Sequence, residues 1–193
     1  MSKPGLTEGK RPFHTLVTRR RSHRNARMFT NKRYAQAMVA FQRAETRPRE
    51  VAICRAFLFR ENARAVPDDQ VEKREDAFVK AAEMFSICAN YSPPHRGREK
   101  LAYYANAAEC FIQGRRFGRA GGCFVYAEQY SKAARAYREG GHFDEMVEVL
   151  EEHEDQIEAN LHARLTKVAQ MNYFNVGSKP FFARDRITET THL

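Results

Sequence analysis

Phe117–Leu150 reads FGRAGGCFVYAEQYSKAARAYREGGHFDEMVEVL. Three segments within it share a pattern, an aromatic, a small or slim residue three on, and a large apolar residue four after that. They are Phe117-Ala120-Phe124, Tyr130-Ala133-Tyr137 and Phe143-Met146-Leu150, and they recur every thirteen residues. Spacings of three and four put the three residues of each segment on one stripe of an α-helix. Thirteen residues is the length of one short helix and a turn. The small central residue lets a neighbouring helix come close while the aromatics fill the space on either side. Two earlier segments carry the same pattern, Tyr34-Ala37-Phe41 and Phe78-Ala81-Phe85. Repetition of this kind predicts a helical-repeat stack, in which each unit buries its apolar stripe against its neighbours.

Outward from that stretch, the rest of the chain reads as helix and break. A first helix is expected over 28–45. A second, over 49–65, is apolar nearly all round and starts beside Pro48, whose missing N–H costs nothing in a first turn. Pro67-Asp68-Asp69 restarts a third, where an aspartate can accept the unpaired N–H groups. Ser92-Pro93-Pro94-His95 with Gly97 is the clearest break, and it divides a front helical group from a back array. A fourth helix spans 98–113 and ends at Gly114, which suits a left-handed helix end. Short helices follow near 116–127, 129–139 and 142–153, and a longer one over 156–173 carries Ile157, Leu161, Leu165 and Val168. No alternating strand pattern occurs. The fold class expected is all-α: a right-handed α-solenoid of about eight helices over 28–176, with a basic arm (1–27) and a loose tail (177–193).

Charge is unevenly placed. The chain of 193 residues carries a net +9, and residues 1–33 supply all of it, ten Lys or Arg against Glu8 alone. Residues 34–193 therefore sum to zero. Residues 139–158 hold nine acids and no Lys or Arg. The arm, with Pro4, Gly5, Gly9 and Pro12 and few apolar residues, reads as disordered. No apolar run approaches the roughly 20 residues a membrane span requires, and the N-terminus lacks the apolar core of a secretory leader. Four widely spaced cysteines, Cys54, Cys88, Cys110 and Cys123, read as reduced core thiols. The chain is expected to be intracellular, cytoplasmic or nuclear.

Met28–Ala44, MFTNKRYAQAMVAFQRA, resembles the first half of a tetratricopeptide repeat: an aromatic, then Tyr-x2-Ala-x3-Phe-x2-Ala. Cys110–His153 resembles the shorter helical repeats of the same superfamily. In their order these blocks look like the region beyond the motor in large fungal UvrD-like helicases of the TPR and ankyrin repeat-containing type. The resemblance covers roughly residues 28–172. The chain departs from the standard repeat in lacking Trp and in having units far shorter than 34 residues. The resemblance implies a TPR-like scaffold, and an accessory piece of a larger helicase-like protein.

Signatures of chemistry are missing. A phosphate-cradling loop, G-x-x-x-x-G-K-[ST], is not found. The glycine-rich Gly114–Gly122 follows a helix and lacks the Lys-Ser/Thr pair, so it reads as a tight turn with close helix packing. There is no C-x2-C or H-E-x-x-H. His142, His153 and His162, at spacings of eleven and nine, read as solvated histidines on acidic helices. No nucleophile, base and orienter share a local signature. The expected function is non-catalytic protein binding, without cofactor or metal, and the acidic stretch points to a basic partner segment or to a contact with the chain's own basic arm. The alternative is nucleic-acid binding, with Arg19, Arg20, Arg21, Arg24 and Arg27 as the contacts to phosphate. The stripe residues are expected to build the core.

Overall fold

The computed structural model describes residues 33–43 and 48–176. In them eight α-helices follow one another: α1 (Tyr34–Gln42), α2 (Pro48–Ala65), α3 (Val71–Asn90), α4 (Gly97–Gln113), α5 (Phe117–Tyr126), α6 (Tyr130–Gly140), α7 (Phe143–Glu152) and α8 (Ala159–Val176). Single 3₁₀ turns at Pro94–Arg96 and Glu154–Gln156 separate α3 from α4 and α7 from α8. The described residues contain no strand, so they are all-α.

These helices divide between two compact units, one ending at Leu58 and the next beginning at Phe59. The division thus falls inside α2. The expected break at 92–97 is instead a turn that folds α4 back against α3, and these two helices pack extensively. In the first unit, Ala37 and Phe41 of α1 pack with Cys54 of α2, with Met38 and Val51 at the edge. The Tyr34 ring stacks on Phe57, with centroids 5.1 Å apart. The first aromatic stripe is therefore buried as its spacing requires, and Pro48 is the first residue of α2.

In the second unit each helix from α3 to α8 packs on the next in the chain. The small stripe residues are the points of closest burial. Ala81, Ala120 and Ala133 have no exposed surface, nor has Met146, which takes their place in α7. Phe78, Phe85, Phe124, Tyr137 and Leu150 are buried beside them. Phe117, Tyr130 and Phe143 are only half-buried, because each is the first residue of its helix and sits beside a turn. The helix over 156–173 begins at Ala159, after the 3₁₀ turn, and buries Leu161, Leu165 and Ala169; Ile157 is buried just before it, and Val168 is only half-buried. Phe174 near its end is 86% exposed. Phe181 and Phe182 lie outside the described residues.

Two expectations about helix ends are corrected. Gln70, not an aspartate, precedes α3, and it makes no side-chain cap. The Gln70 N–H closes a turn on the Pro67 carbonyl (3.1 Å), which moves the helix start beyond reach of Asp68; that carboxylate pairs with Arg74. At the end of α4, Gly114 has φ −87° and is not left-handed; Arg115 is, at φ 53°. Gly114 serves packing instead. A Cβ there would lie 2.7 Å from Val79 Cγ2 and 3.0 Å from the Glu75 carbonyl oxygen on α3.

The turn at Arg115 recurs. The Arg116 N–H donates to the Phe111 carbonyl (2.9 Å) and the Arg115 N–H to that of Ile112 (3.0 Å). After α5, Gln129 N–H donates to Phe124 O and Glu128 N–H to Val125 O, both at 2.9 Å, with Glu128 at φ 58°. After α6, His142 N–H donates to Tyr137 O (2.9 Å) and Gly141 N–H to Arg138 O (3.2 Å), with Gly141 at φ 73°. Each is the paired 6→1 and 5→2 bonding of a Schellman turn around a left-handed residue. Arg115, Glu128 and Gly141 are themselves thirteen residues apart. The sequence repeat is therefore also a repeat of backbone geometry, and the next helix starts two residues after each left-handed position.

A left-handed L-residue costs roughly 1–2 kcal/mol, and glycine loses about 0.5–1 kcal/mol of that advantage to chain entropy. Glu128→Gly should therefore raise unfolding stability by about 0.5–1 kcal/mol, and Gly141→Ala should lower it by about 1 kcal/mol. Urea denaturation of each variant measures both; equal and opposite signs at 128 and 141 are the expected outcome. Gly121 tests helix approach, since a Cβ there would lie 2.5 Å from Tyr137 Cε1. Gly121→Ala should cost about 1–3 kcal/mol by overpacking, and an unchanged urea midpoint would refute that contact.

Candidate binding groove

One hollow in the second unit is built by five helices. Arg60 and Arg64 stand four residues apart on the last turns of α2, so they share one face. Arg74 and Phe78 of α3 are spaced in the same way. Glu109, Cys110, Ile112 and Gln113 come from the end of α4, Phe124 from α5 and Lys132 from the first turn of α6. Together they enclose about 570 Å³, within the range of ordinary ligand sites. Phe78, Phe124 and Cys110 are buried and form an apolar floor. Four cations surround it against one carboxylate, Glu109.

Partners within the fold hold these cations in place. Arg60 Nη1 donates to Asn106 Oδ1 at 2.5 Å, and the Arg60 guanidinium lies 5.4 Å from the centre of the Phe85 ring. Its side chain is 15% exposed, so it is the deepest of the four. Arg64 pairs with Glu61 at 3.0 Å, one turn back on α2. Arg74 pairs with Asp68 before α3. Lys132 Nζ sits 5.6 Å from the Phe124 ring centre. Cation–ring contacts of this kind orient a charge without neutralising it.

Burial pushes the Cys110 thiol up from 9.0 to about 11, with the nearby charges of Arg60 and Arg64 opposing the shift. A thiol held protonated at neutral pH is a weak nucleophile. Burial also raises Cys123, against the pull of a Ser86 hydroxyl 3.9 Å away and of Arg119. No disulfide joins the four cysteines; Cys54, Cys88 and Cys110 are buried and Cys123 is half-buried.

The residues singled out from sequence are distributed differently. Arg19, Arg20, Arg21, Arg24 and Arg27 lie outside the described residues. Of the stripe residues, Phe78 and Phe124 reach the groove floor, and Phe117 and Tyr137 line a second hollow with Arg115, Arg116 and His142. The glycines of 114–122 make the α4–α5 turn and the first turns of α5, as a packing role requires. The three histidines are apart. His142 Nδ1 is 3.6 Å from Glu145, the His153 ring stacks on Tyr130, and His162 Nε2 is 3.2 Å from the Leu150 carbonyl. Among the described residues no group of three or more His, Cys, Asp or Glu could hold a metal ion. None of the described helices is long and apolar enough to cross a membrane. The nine acids of 139–158 are all exposed, while Met146, Val147, Val149 and Leu150 on the same helix are buried.

A sum over 34–193 hid the basic groove. Arg60, Arg64 and Arg74 lie in residues 34–93, where nine Lys or Arg meet nine Asp or Glu, and the excess of Lys and Arg over 94–138 that includes Lys132 is offset by the acidic stretch after it. The spacing of Arg60 and Arg64 by four residues, one helical turn, was the available signal. No family model, curated protein or solved structure matches this chain.

The thiol in the groove gives a pH prediction. Its folded value lies above its unfolded one, so its contribution to stability is intact below about pH 9 and lost as pH rises towards 11. Within that window the unfolded chain releases the proton first, which costs up to about 1.4 kcal/mol per pH unit. Urea unfolding from pH 8 to about pH 10.5 should steepen with pH in the native chain. In Cys110→Ala the slope should be shallower by that amount; parallel slopes would show that the thiol is not buried.

Proposed function

We propose that this chain is a non-catalytic scaffold that binds a protein partner, and that its groove takes an acidic segment. The observation that carries this reading is the convergence of Arg60, Arg64, Arg74 and Lys132 around the floor of Phe78, Phe124 and Cys110. Carboxylates in the partner meet the cations, and an apolar side chain of the same segment covers the rings. Charge sets the choice of partner and the encounter rate, and the apolar contact supplies the core of the interface. The sign is opposite to the basic partner expected from the acidic stretch. That stretch is an exposed face of α7 and its flanks, whereas the cations line a hollow.

The arrangement we propose for the helices is a TPR-like right-handed solenoid. The stepwise packing of α3 to α8 and the thirteen-residue recurrence of the turns support it. The sequence resemblance supports a place beside a helicase-like motor in a larger protein. A non-catalytic role fits a groove whose one thiol is held protonated and which pairs no nucleophile with a base.

A fluorescent peptide of alternating Glu and Asp with one central Phe tests the groove. Fluorescence polarisation with the full chain should show saturable, salt-sensitive binding. Arg64→Glu with Lys132→Glu should weaken it by about tenfold or more, since two partly exposed charges of about 0.5–1 kcal/mol each are reversed. Both residues are surface-reaching, so the thermal melt should hardly move. Equal affinity of the double variant would place the peptide elsewhere, the basic arm included, and overturn the assignment of the groove.

A further inference from the structure

Half of the chain's eight tyrosines lie just after α3, in the middle of α4 and at the end of α5: Tyr91, Tyr103, Tyr104 and Tyr126. Tyr104 is buried and its hydroxyl donates to Asn90 Oδ1 at 2.6 Å. It packs with Ala89 and Ala127 in a small core, with Tyr103 against it. Tyr126, the last residue of α5, lays its ring on that of Tyr104, with centroids 5.1 Å apart and planes 27° from parallel. Yet Tyr126 is 65% exposed. One face of its ring is held by a fixed neighbour while much of the rest meets solvent. Tyr91, the residue after Asn90, is 78% exposed.

Positive charge borders the same place. Arg96, Arg98 and Lys100 lie on the 3₁₀ turn and the first turn of α4. Lys100 Nζ is 6.0 Å from the Tyr104 ring centre. Arg96 pairs with Glu99 at 2.9 Å, whereas Arg98 and Lys100 are exposed. An exposed apolar peptide would leave these charges unused, and an acidic peptide without an aromatic side chain would leave the open ring unused. Unpaired bases on a phosphate backbone use both. Every base has a face that stacks on an aromatic ring, and successive phosphates need cations beside it. A duplex hides its base faces and does not fit. Residues 94–138, which include Lys100, Tyr104 and Tyr126, carry nine Lys or Arg against three Glu, and that local excess favours the same partner.

We propose that the Tyr104–Tyr126 stack, with Lys100 at its rim, is a platform for the bases of single-stranded nucleic acid. It shares no residue with the groove, so either assignment stands without the other.

The absence of Trp from the chain gives a direct test. In Tyr126→Trp the only indole stands on the platform. The full-length variant is titrated with a labelled oligo-dT of about twelve nucleotides, in about 50 mM and about 200 mM salt. Polarisation should report binding, the indole emission should fall with it, and higher salt should weaken both. Tyr126→Ala should lose about tenfold in affinity, one stacked base's worth, with an unchanged melt because the ring is exposed. Lys100→Glu should weaken binding and reduce its salt dependence. Binding by polarisation without indole quenching would put the strand on another surface, such as the arm, and overturn the proposal. So would native affinity in Tyr126→Ala, equal quenching by a duplex or by the acidic peptide, or no binding at low salt.

Discussion

Everything in the second compact unit depends on how closely its helices approach. The contacts pass through positions that have almost no side chain: Ala81, Ala82, Ala107, Ala108, Ala120, Gly121, Ala133 and Ala134, all buried. Helices that meet at such residues lie near the short end of the usual interaxial range. The aromatic rings on either side then fill the remaining space, and dispersion acts over many short contacts. Gly114 and Gly121 mark the limit of this approach, because a single methyl group at either would overlap α3 or the Tyr137 ring.

Turn geometry sustains the close approach. The same pair of backbone bonds closes α4, α5 and α6, and each turn reverses the chain in a few residues. The buried carbonyls at Phe111, Phe124 and Tyr137 are satisfied by the chain that leaves them, so the helix ends need no side-chain caps. Arg115 and Glu128 take left-handed conformations that glycine would adopt more easily. The fold holds them there because the alternative is to lose two hydrogen bonds and the start of the next stripe. The repeat stops after α7, where His153 has φ −128° and a 3₁₀ turn follows. From there the chain leaves the thirteen-residue rhythm and ends in the longer α8.

The groove and the tyrosine platform are consequences of this spacing. Small residues face inward, so the long cationic side chains on the neighbouring turns are displaced to the edges. There they lie across aromatic rings, as Arg60 does on Phe85, Lys132 on Phe124 and Arg119 on Phe111 at 4.3 Å. Acids on the adjoining turns, Glu61, Asp68 and Glu83, balance part of that charge from outside. A chain segment with no net charge can therefore present a strongly cationic hollow on one side and an acidic helix on another.

Helices, their order and most of their limits were legible in the residues. The spacing of Tyr34, Ala37 and Phe41, and of the four later stripes, allows only one buried face per helix, and Pro48, Gly97 and Gly141 mark the boundaries by backbone chemistry. Local rules err at Gly114 and Asp68, where tertiary packing and a competing turn decide the helix end. The identity of the groove was not legible, since Arg60, Arg74 and Lys132 are remote in sequence and each has acidic neighbours along the chain. Nor was the Tyr104–Tyr126 stack, whose partners stand on different helices. Periodicity is a property of neighbours along the chain, so the sequence by itself determined an all-helical chain with aromatic–alanine stripes. Convergence is a property of neighbours in space, so only the tertiary structure decided which charges and rings share a surface.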